Sequence, residues 1–91
     1  MRMAVYVDSM RPAVRSSVWP YPTACHLMAD GELELLEMAE RIGLRRHWLQ
    51  RGTLLHYDLT EHKRREAVLA GAIELTNRQV VDRTKASRRA R

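Results

Sequence analysis

Strand and helix signals alternate along this 91-residue chain, which predicts an α/β domain: a small, mostly parallel four-stranded sheet with about three helices. Three observations carry that expectation. Short apolar runs at residues 3–7, 25–29 and 54–57 end on Asp8, Asp30 and Asp58. Leu35, Met38, Ala39 and Ile42 fall at i, i+3, i+4 and i+7, the stripe of an amphipathic helix. The expected order is strand, loop, strand, helix, strand, helix, strand, helix, which implies right-handed crossovers between parallel strands.

Residues 3–7 are rich in Val and Tyr and read as the first strand, stopped by Asp8. Residues 9–23 hold Pro12, Pro20, Pro22 and three serines, so a long loop is expected. Trp19 in that loop either plugs the core or serves as part of a lid. Residues 24–29 form the second strand. Asp30 is a candidate N-cap, Glu32 and Glu34 suit the first helical turn, and Gly43 is placed as the stop. Residues 45–53 read as a loop or short turn of helix, and 54–58 as the third strand. Thr60 caps a second helix to Ala70, ended by Gly71. Residues 72–75 are a short fourth strand. Thr76 and Gln79 form a capping box for a last helix over about 77–86.

Composition narrows the class. Hydrophobic content is 45% and charged content 30%, as in a water-soluble globular domain. A domain this short buries only roughly 60–65% of its unfolded surface, so a partner would help it. No apolar run approaches the roughly 20 residues that span a bilayer, and Asp8 interrupts any signal-peptide core. A cytoplasmic protein without membrane attachment is expected, with its single cysteine, Cys25, as a reduced, buried thiol. The net charge of +5 is concentrated at the end: Arg83, Lys85, Arg88, Arg89 and Arg91 have no acid among them. The expected organisation is a single domain over 1–82 and a basic tail over 83–91. That tail either binds nucleic acid by counterion release or is a solubilising end.

The chemistry-bearing residues sit at the ends of the expected strands. In an open parallel sheet, ligands bind beyond the carboxyl ends of strands. Asp8, His26, His56 and Asp58 are therefore the candidate catalytic residues, with Asp30 expected at the same edge. His56 and Asp58, two apart on a strand, share a face. Asp8, His56 and Asp58 are candidate ligands for a divalent metal. The structural alternative makes Asp30 a cap, Asp58 a turn residue and the histidines packed. Lys63 and Arg64 in a first helical turn suit a bound phosphate, and Arg46 with Trp48 suits a base. Alternatively, the cations point to solvent and Trp48 covers the end of the first helix. No phosphate-loop, dinucleotide or nucleophile motif is present.

The same residues carry a family resemblance. Val5-Tyr6-Val7-Asp8, Cys25 to Asp30, the Glu34-to-Gly43 helix, Arg45 to Gln50, His56-Tyr57-Asp58 and Gly71-Ala72 follow one another in order. This pattern resembles a small domain-of-unknown-function family of bacteria and their phages. The resemblance implies no activity. The Trp19 loop and the arginine-rich end depart from the pattern. Two functions therefore stand open. One is binding of a phosphate-bearing ligand, a nucleotide or nucleic acid, at the sheet edge. The other is a non-enzymatic interaction module, for example a phage-encoded modulator of a host protein, or a homodimer.

Overall fold

The computed structural model describes residues 4–52 and 54–89. Met3 and Arg91, named above, lie outside them. The described residues form six strands and three helices in this order: β1 (Val5–Val7), β2 (Arg11–Pro12), β3 (Thr23–Ala29), α1 (Glu32–Arg41), a 3-10 turn (Arg46–Trp48), β4 (Gln50–Arg51), β5 (Leu55–Leu59), α2 (Glu61–Leu69), β6 (Ile73–Glu74) and α3 (Asn77–Arg89). The sheet order is β4-β5-β3-β1-β6, with β2 also on β3.

The sheet is mixed and mostly antiparallel, which corrects the parallel expectation. Among the described residues only β1 and β6 run parallel; β1–β3, β2–β3, β3–β5 and β4–β5 are antiparallel. The cause lies in the connections. A parallel neighbour needs a crossover, usually a helix. The proline-rich segment after β1 has no helix and turns back along the same edge, so β3 returns antiparallel. Gln50 and Arg51, inside the expected 45–53 loop, form the first arm of a hairpin onto β5. Four strands become six because β2 and β4 are only two residues long.

Between Val7↔Leu27 and Arg11↔Ala24 the pairing advances four residues on one side and three on the other. The β1–β2 side therefore carries one extra residue between the two paired stretches, just beyond Asp8.

One face of the sheet is the core. Val7, Cys25, Leu27, Tyr57 and Leu59 are buried there against Leu35, Met38, Ala39 and Ile42 of α1 and its end, and Ala67 of α2. The predicted α1 stripe is thus the buried one. Tyr6 and Met28, opposite each other and out of phase with that set, point to the other face, where Arg83 of α3 lies 4.1 Å over the Tyr6 ring.

Local signals account for the helix ends. Thr60 Oγ1 accepts the Lys63 N–H at the start of α2, and Thr76 and Gln79 exchange both capping-box bonds. Gly43 and Gly71 adopt φ of +81° and +109° after α1 and α2, where only glycine is unstrained. Asp30 departs from expectation. The N-cap of α1 is Gly31, without a side-chain bond. Asp30 instead accepts the Ala4 N–H, the Tyr6 hydroxyl and Arg83.

Candidate functional site

Because β3 runs against β1 and β5, its early residues lie beside their carboxyl ends. His26 stands opposite Asp58 on one side, and on the other its carbonyl accepts the Asp8 backbone N–H. His56 is one pleat back on β5, and Gln50 of β4 stands opposite it. Side chains two apart on a strand share a face, so His26, Asp58, His56 and Gln50 all project from the face away from α1 and α2. Of the four expected catalytic residues, His26, His56 and Asp58 come together, and Asp8 joins them only through its contact with His26. Asp30 does not join them: it sits at the far end of β3, beside Ala4.

Asp8 is fully buried. Its Oδ1 accepts the His26 backbone N–H at 2.6 Å, and its Oδ2 lies 2.7 Å from His26 Nδ1 and 3.0 Å from an Arg11 nitrogen. The carboxylate thus occupies the ladder position that its own carbonyl would take. That carbonyl accepts Arg64 Nε instead, at 2.8 Å. Burial alone would raise the Asp8 carboxyl, but the His26 ring and backbone bonds and the His26 and Arg11 charges outweigh it and hold it below its ordinary value. The bond to Asp8 raises His26 above its ordinary value, against the opposing effect of burial. An ionised carboxylate only accepts, so His26 carries its proton on Nδ1. Arg11 and that Nδ1–H are two donors on one oxygen, which explains their own 3.1 Å approach.

The second imidazole is fixed the same way. His56 Nδ1 lies 2.8 Å from the Leu54 carbonyl oxygen, which can only accept. In its neutral form each ring therefore presents Nε2 as a lone pair. The rings meet edge to face with centroids 4.9 Å apart. His56 Nε2 is 3.7 Å from Asp58 Oδ1, while Asp58 Oδ2 accepts the Gln50 amide. One ligand atom each from His26, His56 and Asp58 lie within 4.8 Å of one another. These three could together hold a metal ion, and among the described residues Asp8 is not part of that group. Asp8 faces the Nδ1 side of His26.

A cavity of about 510 Å³ opens beside Asp58, walled by Trp19, Tyr21 and Trp48, with Gln50, Thr60 and Lys63 at its polar end. Trp19 is neither core plug nor free lid: its indole N–H donates to the Thr23 carbonyl, and its ring meets Tyr21 edge to face. Trp48 is half-exposed, with Arg45 5.9 Å from its ring centre. The expected anion-binding cations are held by the protein itself. Lys63 Nζ donates to the Ile42 carbonyl at 2.6 Å and to Glu66 at 3.1 Å. Arg64 bonds Glu74 as well as Asp8. Arg46 is exposed and is not among the cavity-lining residues; its carbonyl accepts the Tyr57 hydroxyl.

Sequence reasoning missed Arg11, Gln50 and the tautomer-fixing Leu54 carbonyl. Gln50 had a signal in the Gln50–Leu55 stretch, two short polar and apolar arms about Gly52, which reads as a hairpin. No helix among the described residues is long and apolar enough to cross a membrane.

The sequence matches the family described as "Protein of unknown function (DUF4031)" over residues 5–87, a span that includes Asp8, His26, His56 and Asp58. No curated protein and no solved structure matches it. With nearly its whole length inside that match, the chain belongs to the DUF4031 family of proteins of unknown function.

Proposed function

We propose that this chain binds a phosphate-bearing ligand with a planar ring, a nucleotide or one unit of a single-stranded nucleic acid, at the end of the sheet marked by Asp58. The cavity carries the reading. Its volume of about 510 Å³ is that of a small-molecule pocket. Two tryptophans and a tyrosine in its walls offer stacking surfaces, and base–aromatic stacking contributes about 1–3 kcal/mol per base. Gln50, Thr60 and Lys63 supply polar groups at one end.

Trp19 and Trp48 are the only tryptophans, so the ligand reports on itself. Nucleoside monophosphates and a short oligothymidylate quench their fluorescence saturably, and Trp48→Ala weakens that binding at unchanged melting temperature. Absence of quenching and of any thermal shift up to millimolar ligand rejects the reading.

Val14 and Val18, 92% and 88% exposed beside this cavity's loop, favour a second reading as a protein-docking surface. A concentration-dependent dimer in light scattering, lost in Val18→Asp, selects that reading instead.

A further inference from the structure

We infer that His26, His56 and Asp58 form a three-ligand site for one divalent transition-metal ion, with Asp8 as a positioning residue outside the coordination sphere. The inference rests on this cluster's geometry and not on the nucleotide reading, though it supplies what that reading lacks. Lys63 and Arg64 have their charges engaged by the protein, so an incoming phosphate finds little free positive charge there. A dication on Asp58, which also lines the aromatic cavity, provides it.

Three features distinguish the cluster from chance neighbours. First, the donor set is two imidazoles and one carboxylate, which suits zinc and its divalent neighbours and leaves coordination positions open. Second, each donor has a partner holding its far side. His26 Nδ1–H is held by Asp8, His56 Nδ1–H by the Leu54 carbonyl, and Asp58 Oδ2 by the Gln50 amide. Such outer partners fix tautomer and ring orientation, and they typically govern 10–100-fold in metal affinity. Third, the donors are half-buried, with side-chain exposures of 35%, 21% and 32%. An ion can reach them, yet they stand on paired strands rather than a loose loop. The ligand atoms lie within 4.8 Å of one another. Small side-chain rotations close that spread onto ligand bonds of about 2.0–2.2 Å.

The partners separate the roles. Asp8→Asn offers an amide N–H where Oδ2 now accepts. His26 then takes its proton on Nε2, and the metal-facing lone pair is lost. His62, exposed on α2 and 2.9 Å from the part-buried Glu66, is the natural control for adventitious binding.

The test is calorimetric titration of the full chain, free of any polyhistidine tag, with Zn²⁺ and with Co²⁺. One equivalent binds saturably, and Co²⁺ gives the visible absorption of a protein-bound ion. His56→Ala and Asp58→Asn abolish the one-to-one isotherm, Asp8→Asn weakens it by about 10–100-fold, and His62→Ala leaves it unchanged. Should a variant fail to fold, histidine ¹⁵N spectra of the wild type decide. Zn²⁺ shifts Nε2 of His26 and His56 while His47 and His62 stay in place. No saturable binding, an isotherm indifferent to His56→Ala, or shifts confined to His47 and His62 overturns the inference. Nucleotide titrations in EDTA and in Zn²⁺ keep the two proposals apart. Binding in EDTA with no metal uptake leaves the cavity reading standing alone, and metal uptake without nucleotide binding leaves the metal site standing alone.

Discussion

Replacing Asp8 with Asn isolates one buried charge. The carboxylate is fully buried and receives the His26 backbone N–H at 2.6 Å, His26 Nδ1 at 2.7 Å and Arg11 at 3.0 Å. Asn retains one carbonyl oxygen, enough for the backbone N–H. Its NH₂ then opposes the Arg11 donor, and it bonds His26 only once that ring has moved its proton to Nε2, so the charge-assisted ring bond is lost. The Arg11 side chain is 47% exposed and recovers water when released, so its share of the loss is small. The ring bond counts more fully, because hydrogen bonds to charged groups contribute about 1.5–3 kcal/mol. The expected loss is therefore about 2–3 kcal/mol, a large fraction of the roughly 5–14 kcal/mol available to a domain of this length. At about 4–8 °C per kcal/mol, the melting temperature falls by roughly 10–20 °C. Calorimetry in EDTA at pH 6 measures it. A variant within 0.5 kcal/mol of wild type would falsify the claim that this carboxylate holds β1 to β3.

The same pair sets a pH signature. Asp8 is lowered in the folded state, so its contribution is present above the ordinary carboxyl value and is lost as pH falls through the folded value. His26 is raised above 6.5, so its contribution is complete below 6.5 and is lost as pH rises through the folded value. Wild-type stability in EDTA therefore peaks between the two and declines on both sides. Asp8→Asn flattens both slopes. A wild-type alkaline slope that survives in the variant refutes the coupling.

Three further outcomes follow from the packing. Cys25 is buried, and burial pushes its thiol up to about 12, so a disulfide-exchange reagent at pH 8 labels it only as fast as the chain unfolds, and immediate stoichiometric labelling contradicts this. Leu27→Ala, at a fully buried position on the central strand, costs about 2–5 kcal/mol in urea denaturation, and a cost below 1 kcal/mol is incompatible with the described core. Thr76→Ala removes half of the α3 capping box and costs about 1 kcal/mol, read as lost amide protection in the first turn of α3 with β3 protection unchanged; equal loss in both indicates that α3 is not an independent unit.

Local order was legible where the chain interacts with itself over a few residues. The Leu35–Met38–Ala39–Ile42 stripe, the Thr60 cap and the Thr76–Gln79 box need no distant partner to be recognised. Strand direction was not legible, because it depends on what the connections do. A proline-rich loop and a helix both join strands, and only the pairing reveals that the first of these reverses the chain. β2 and β4 carried no apolar strand pattern of their own for a related reason. Arg11–Pro12 and Gln50–Arg51 are exposed on every residue, so neither shows an apolar alternation. Asp30 shows how a correct residue type can serve a different partner. It precedes a helix as a cap should, yet Tyr6 and Arg83, 24 and 53 residues away, take its oxygens.

Reversing β3 changes which of its polar residues belongs to the site. In a parallel sheet the end of β3 meets the ends of β1 and β5, which would bring Asp30 to Asp8 and Asp58 and leave His26 further back along the strand. In the antiparallel sheet the early part of β3 lies there, so His26 enters and Asp30 leaves. The exchange replaces a carboxylate with an imidazole. Three acids and one histidine would repel one another and favour a hard cation held by oxygens. Two histidines and one acid, with the remaining acid turned to the back of an imidazole, favour a transition metal. The extra residue after Asp8 follows the point where the Asp8 side chain takes the carbonyl's place against His26. The chemistry available at this edge is thus decided by one strand direction and one extra residue, and neither is written in the identity of the site residues themselves.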